Sequence, residues 1–143
     1  MEKVLLVLSL LLTTNIAFAQ QSSLAITVSG ITHDSGSIVV AVFDNADDWL
    51  STEADTVSFA EASQAVSGEA EVFLLIEDIP TGSYALSIFH DVNANDELDT
   101  NFIGYPQEPF GFSAPMGAFG PPNFHEASIE VKSGLNEITI AID

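Results

Sequence analysis

Between Phe89 and Tyr105 the chain reads FHDVNANDELDTNFIGY, and oxygen-bearing side chains crowd its centre: Asp91, Asn93, Asn95, Asp96, Glu97 and Asp99. Oxygen donors on alternating residues suit a hard cation such as Ca²⁺. A chain that wraps the ion turns every second side chain inward. Asp91, Asn93 and Asn95 occupy positions 1, 3 and 5 of the calcium-loop template. Glu97 falls at position 7, where the backbone carbonyl serves, and Asp99 at position 9. These five residues are the candidate metal ligands, and Ca²⁺ is the candidate ion.

Two positions depart from the template. Position 6 calls for Gly and holds Asp96, a residue that tolerates the left-handed turn at some cost. Position 12 calls for a bidentate Glu and holds Phe102. A last ligand would have to come from Asp44, Asp47 or Glu108. No helical pattern flanks the loop, so it is not an EF-hand. The competing reading needs no metal: Asp and Asn side chains bond their own backbone in a series of Asx-turns.

Other chemistry is sparse. His90 and His125 flank the stretch that follows and, with Asp91, would make a mixed transition-metal site if they met; His33 sits in a distant turn. Gly111-Phe112-Ser113-Ala114-Pro115 lacks the second Gly of a nucleophile elbow, and His33-Asp34-Ser35 are chain neighbours rather than a triad assembled in space. With no Cys and no Arg, the chain offers neither a thiol nucleophile nor the usual clamp for phosphate or carboxylate substrates. No catalytic residue is assigned. Paired carboxylates of a glycan or peptide hydrolase remain the enzymatic alternative.

The elements that would position this loop follow a leader. Lys3, the apolar run Val4–Leu12 and Ala17-Phe18-Ala19 have the layout of a secretory signal peptide, residues 1–19, with the exported domain at 20–143. The run is too short for a comfortable membrane span, and no later one is long enough. The expected location is periplasmic or extracellular. Beyond the leader one basic residue, Lys132, faces twenty acidic ones, which argues against nucleic acid and anionic membranes as partners.

Leu24–Ser29, Ile38–Phe43, Ala70–Ile76, Tyr84–Phe89, Ala127–Val131 and Ile138–Ile142 alternate or run apolar as strands do, with a less certain strand near Val57–Ala60. About seven short strands separated by turn signals, with almost no helical periodicity, predict an all-β, antiparallel sandwich of immunoglobulin-like or transthyretin-like kind. Two strands end alike, in Phe43-Asp44 and in Phe89-His90-Asp91. If they run parallel, both acidic loops share one end. The Gly-, Pro- and Phe-rich loop Phe102–Phe124 either caps the sandwich as a satellite core or presents a protein- or glycan-binding surface.

The IP-x-G-x-Y turn at Ile79–Tyr84, the FHD-x-N-x-N-x-x-LDTN block at Phe89–Asn101, Gly111-Phe112 and FGPP-x-F at Phe119–Phe124 resemble the exported bacterial family known as domain of unknown function 2141. The resemblance runs from about Leu24 to Ile142. It implies a secreted β-sandwich-like domain and carries no activity with it. One departure is Asp96, where the family's loop often has Gly. The turn and strand from Gly82 to Ile88 also look like transthyretin-like and carboxypeptidase regulatory-like modules, a likeness of fold alone. The expected function is a non-enzymatic binding or structural module. The alternatives are the hydrolase above and an adhesion or assembly subunit that exposes Phe110, Phe112 and Phe119.

Overall fold

Ser22–Ser29 (β1) buries Leu24, Ile26 and Val28 on one face, and Ser37–Phe43 (β2) buries Ile38, Val40 and Val42. Period-two burial of this kind makes a sheet with one dry face. The computed structural model describes residues 22–143; the expected signal peptide lies outside them. The other strands are Ala60–Ala65 (β3), Glu71–Ile76 (β4), Gly82–Asp91 (β5), Phe110–Phe112 (β6), Ile129–Val131 (β7) and Gly134–Ala141 (β8). One short helix, Phe124–Ala127 (α1), is closed by an Asn123–Glu126 capping box.

One sheet has the order β4-β1-β8 and the other β3-β2-β5-β6, with β7 also paired to β5. β6 and β7 share the outer edge of β5: Phe89 pairs with Phe110, and Gly82 with Val131. Side chains from both sheets meet in one core that includes Leu24, Val40, Leu86, Ile88, Val131 and Ile140. At one side the sheets nearly close, where Phe110 and Asp143 exchange backbone hydrogen bonds. Gly111 permits this approach, since a Cβ there would lie 2.5 Å from the Ala141 carbonyl oxygen.

The all-β sandwich is as expected, with three differences. The doubtful strand exists but is shifted, at Ala60–Ala65. An eighth strand, β6, forms inside the Phe-rich loop, because Gly111-Phe112 lies back along β5. The pairing of β1 with β8 is parallel, while every other named pairing is antiparallel. The last turn crosses from one sheet to the other. Asn136 ties it by accepting from the Lys132 amide at 2.9 Å and donating to the Lys132 carbonyl at 2.7 Å.

The two strands with similar ends, β2 and β5, are antiparallel neighbours. Asp44 and Asp91 therefore lie at opposite ends of the sheet, and the idea of one shared acidic end is corrected. The Asp44 end carries the aromatic cap. Phe43, Trp49, Ala85 and Ala127 form a second cluster with Phe112, Ala114 and Phe124 packed on it. Trp49 donates its indole N–H to the Pro122 carbonyl at 2.9 Å. Part of the Phe-rich loop is thus a satellite core, as one expectation held. Phe102 and Phe119 stand fully in solvent.

Tyr84 is buried and donates its hydroxyl to the Pro80 carbonyl at 2.9 Å. Burial, with the Asp44 charge as the smaller cause, raises its pKa above the ordinary phenol value. The folded state therefore keeps a proton that the unfolded chain releases. This share of stability is intact below the unfolded pKa and is lost as pH rises through the higher folded value. Denaturant midpoints taken from about pH 9 to about pH 11 should fall less steeply for Tyr84→Phe than for the wild type.

Candidate functional site

β5 delivers the acidic loop. Its last two residues, His90 and Asp91, are both buried, although their side chains leave opposite faces of the strand. His90 enters the inter-sheet core beyond Leu86 and Ile88. Asp91 is covered by the loop it starts. Its Oδ1 accepts from the Asn95 amide at 3.1 Å, and its Oδ2 accepts from the Asp96 amide at 2.8 Å. Gly36 makes room beside it, for a Cβ there would sit 2.1 Å from the Asp91 carbonyl oxygen. With φ +89°, that position also favours glycine.

The alternating residues each turn the chain. Asn93 Oδ1 accepts from the Asn95 amide at 3.2 Å, and Asn95 Oδ1 accepts from the Glu97 amide at 3.0 Å. Ala94 and Asp96 take left-handed conformations, with φ of 58° and 63°. Position 6 thus bends as the template requires, though it carries Asp rather than Gly. The side-chain amides of Asn93 and Asn95 converge on Asp99, donating to its carboxylate at 2.6 and 3.0 Å. Positions 3, 5 and 9 therefore meet on one side of the loop. Position 7, Glu97, is exposed and contributes its amide N–H to the turn.

Glu108 closes the loop from outside. It is buried, and its two carboxylate oxygens accept from the Val92 amide at 2.8 Å and the Asp99 amide at 3.0 Å. Beyond it, Asn101 Oδ1 accepts from the amides of Ile103 and Tyr105, both at 3.0 Å, fixing a second turn with Phe102 and Ile103 at its tip. Of the three residues considered as a last ligand, only Glu108 reaches the loop, and it does so as a clamp on backbone amides. Asp44 and Asp47 belong to the opposite end, where Asn45 makes its own Asx-turn. Nothing in the local pattern around Glu108 marks that clamp, since its partners are amides nine and sixteen residues away.

His90 pairs with His33, their ring centroids 5.7 Å apart, while His125 lies on α1 beside the other end of β5. A groove of about 430 Å³ runs between Phe110–Met116 and Thr139–Ala141. A smaller depression, about 310 Å³, lies between Asp96 and Glu61, with Val39, Ala62 and Ser63 as its floor. Among the described residues no three His, Cys, Asp or Glu side chains form a metal-holding group. Any cation in the loop would therefore need Asn and backbone oxygens beside its carboxylates.

A family model for an uncharacterized protein conserved in bacteria, DUF2141, matches residues 26–139. The chain belongs to that family. The match runs from β1 into β8, so the DUF2141 domain contains the acidic loop, its Glu108 clamp and the aromatic cap. The resemblance read from the FHD-x-N-x-N and FGPP blocks is thereby borne out. No curated protein and no solved structure matches the chain.

Two substitutions test the mechanics of this DUF2141 loop. Glu108→Ala leaves two sheltered amides without their acceptor and should cost about 2–3 kcal/mol. Hydrogen exchange should accelerate first at Val92 and Asp99. Asp96→Gly removes a left-handed side chain and one of several crowded negative charges, and should gain about 1 kcal/mol in thermal unfolding.

Proposed function

We propose that this DUF2141 protein is an exported, non-enzymatic β-sandwich module whose Asp91–Asp99 loop takes Ca²⁺ weakly. One observation carries the reading: the side-chain heads of Asn93, Asn95 and Asp99 meet on one side of a loop whose backbone is already wound. Asp91 and Glu108 perform the winding from below and outside. An arriving cation would displace the two Asn N–H donors from Asp99, and both amides would turn their oxygens from the Asn95 and Glu97 backbone amides to the ion. The set of Asp, Asn and backbone oxygens around a charge-rich loop belongs with the weaker, extracellular class of Ca²⁺ sites.

The same geometry favours a binding module over a hydrolase. Asp91, the acid nearest the core, has both oxygens occupied by amides and is sealed from solvent. The Glu61–Asp96 depression has no aromatic wall to grip a sugar. A specific observation also supports a metal-free second reading, in which the loop is a self-bonded clasp: Asp91, Asn93, Asn95 and Glu108 all accept backbone amides.

Calorimetry of the exported chain with Ca²⁺ separates the two. The calcium reading expects one event with Kd of about 10⁻⁴–10⁻³ M. At tenfold excess over Kd, the bound ion should add about 1.4 kcal/mol of stability. That corresponds to a melting rise of roughly 3–6 °C. Asp99→Ala, which spares the Asp91 and Glu108 clamps, should abolish both signals. No heat and an unmoved melting curve at millimolar Ca²⁺ leave the clasp as the reading.

A further inference from the structure

Among the described residues, one buried side-chain nitrogen has no hydrogen-bond partner. His90 is completely buried, and its Nε2–H donates to the Ser35 carbonyl at 2.7 Å. That bond fixes the tautomer and leaves a lone pair on Nδ1. Among the described residues, Nδ1 of His90 is the buried side-chain nitrogen or oxygen that no hydrogen bond satisfies. Such an atom is costly to leave bare. A ring nitrogen held by a carbonyl, with the opposite nitrogen free, is also the arrangement that orients a metal-ligating histidine.

A second imidazole stands next to it. His33, exposed in the β1–β2 turn, lies with its ring centroid 5.7 Å from that of His90 and its plane at 86°. Its Nδ1 is 3.3 Å from the Thr32 hydroxyl, which leaves Nε2 for a ligand. Two imidazoles on one tetrahedral ion, with nitrogen–metal distances of ~2.0–2.1 Å, place their ring centres roughly 5–6 Å apart. The observed spacing of the ring centres falls in that range.

The geometry points to a transition-metal site formed by His33 Nε2 and His90 Nδ1, taking Zn²⁺, Ni²⁺ or Cu²⁺ at the turn between β1 and β2. Imidazole nitrogen selects these ions over Ca²⁺ and Mg²⁺. No third His, Cys, Asp or Glu joins the pair among the described residues, so water entering on the His33 side would complete the coordination. The ion approaches from the His33 side, which is open to solvent. The strongly acidic chain raises the local concentration of any divalent cation.

The site stands apart from the calcium reading, and its test keeps the two distinct. The exported chain is titrated with Zn²⁺ alone and with Co²⁺ as a spectroscopic probe, each with and without saturating Ca²⁺. One equivalent should bind, Co²⁺ should develop visible d–d bands, and imidazole NMR signals should shift for His33 and His90 while His125 stays put. Because His33 is exposed, His33→Ala keeps the fold, and it should weaken Zn²⁺ by at least about tenfold and erase the Co²⁺ bands. Ca²⁺ should leave the Zn²⁺ affinity unchanged. Zn²⁺ that Ca²⁺ displaces, affinity indifferent to His33→Ala, or no binding up to millimolar Zn²⁺ each overturns the site.

Discussion

Two buried carboxylates accepting backbone amides hold the acidic-loop end of this protein together. The acidic loop leaves β5 with amide groups that no strand pairs, and water is shut out on the side facing the sheet. Asp91 takes the amides of Asn95 and Asp96 from inside the turn, and Glu108 takes those of Val92 and Asp99 from outside it. Bonds to ionised acceptors are roughly twice as strong as neutral ones. They offset the cost of two left-handed residues at Ala94 and Asp96. Removing Glu108 strands the amides of Val92 and Asp99, and removing Asp91 strands that of Asp96, while Asn95 keeps its bond to Asn93.

This arrangement explains how a chain with formal net charge −19 tolerates so much acid at one end. The buried acids spend their charge on amide dipoles rather than on each other. The exposed ones, Asp96 and Glu97, stand in water, where repulsion is screened. Asp99 lies between the two groups, half-buried, its carboxylate met by side-chain amides alone. Its partners are neutral side-chain amides, where those of Asp91 and Glu108 are backbone amides of the wound chain.

The strands were legible because alternation is a local property. Leu24, Ile26 and Val28, or Val72 and Leu74, announce a buried face within a few residues. The wound loop was legible too, since Asx spacing is written in consecutive residues. Pairings between distant segments were not. Nothing near Phe43-Asp44 says that β2 runs against β5, which sends the two acidic ends apart. Nothing near His33 says that its ring will stand beside His90 rather than leave that place to His125. Gly111 carries a faint signal, a glycine between two phenylalanines, yet its meaning depends on the Ala141 carbonyl thirty residues later.

β5 also carries two kinds of donor on one strand. Adjacent side chains on a strand point to opposite faces, so His90 and Asp91 sit back to back with the sheet between them. His90 looks into the inter-sheet space toward the β1–β2 turn and offers nitrogen. Asp91 looks outward under its own loop and offers oxygen. Each face is anchored by its own hydrogen bonds: the Ser35 carbonyl on one side, the loop amides on the other. What they share is the backbone of two residues, held by the Gly36 contact and by the His90 amide bonded to the Pro109 carbonyl at 2.8 Å. A shift of β5 at this point would disturb both faces together. The constraint that matters at this end is therefore the placement of two peptide units rather than the number of acids around them.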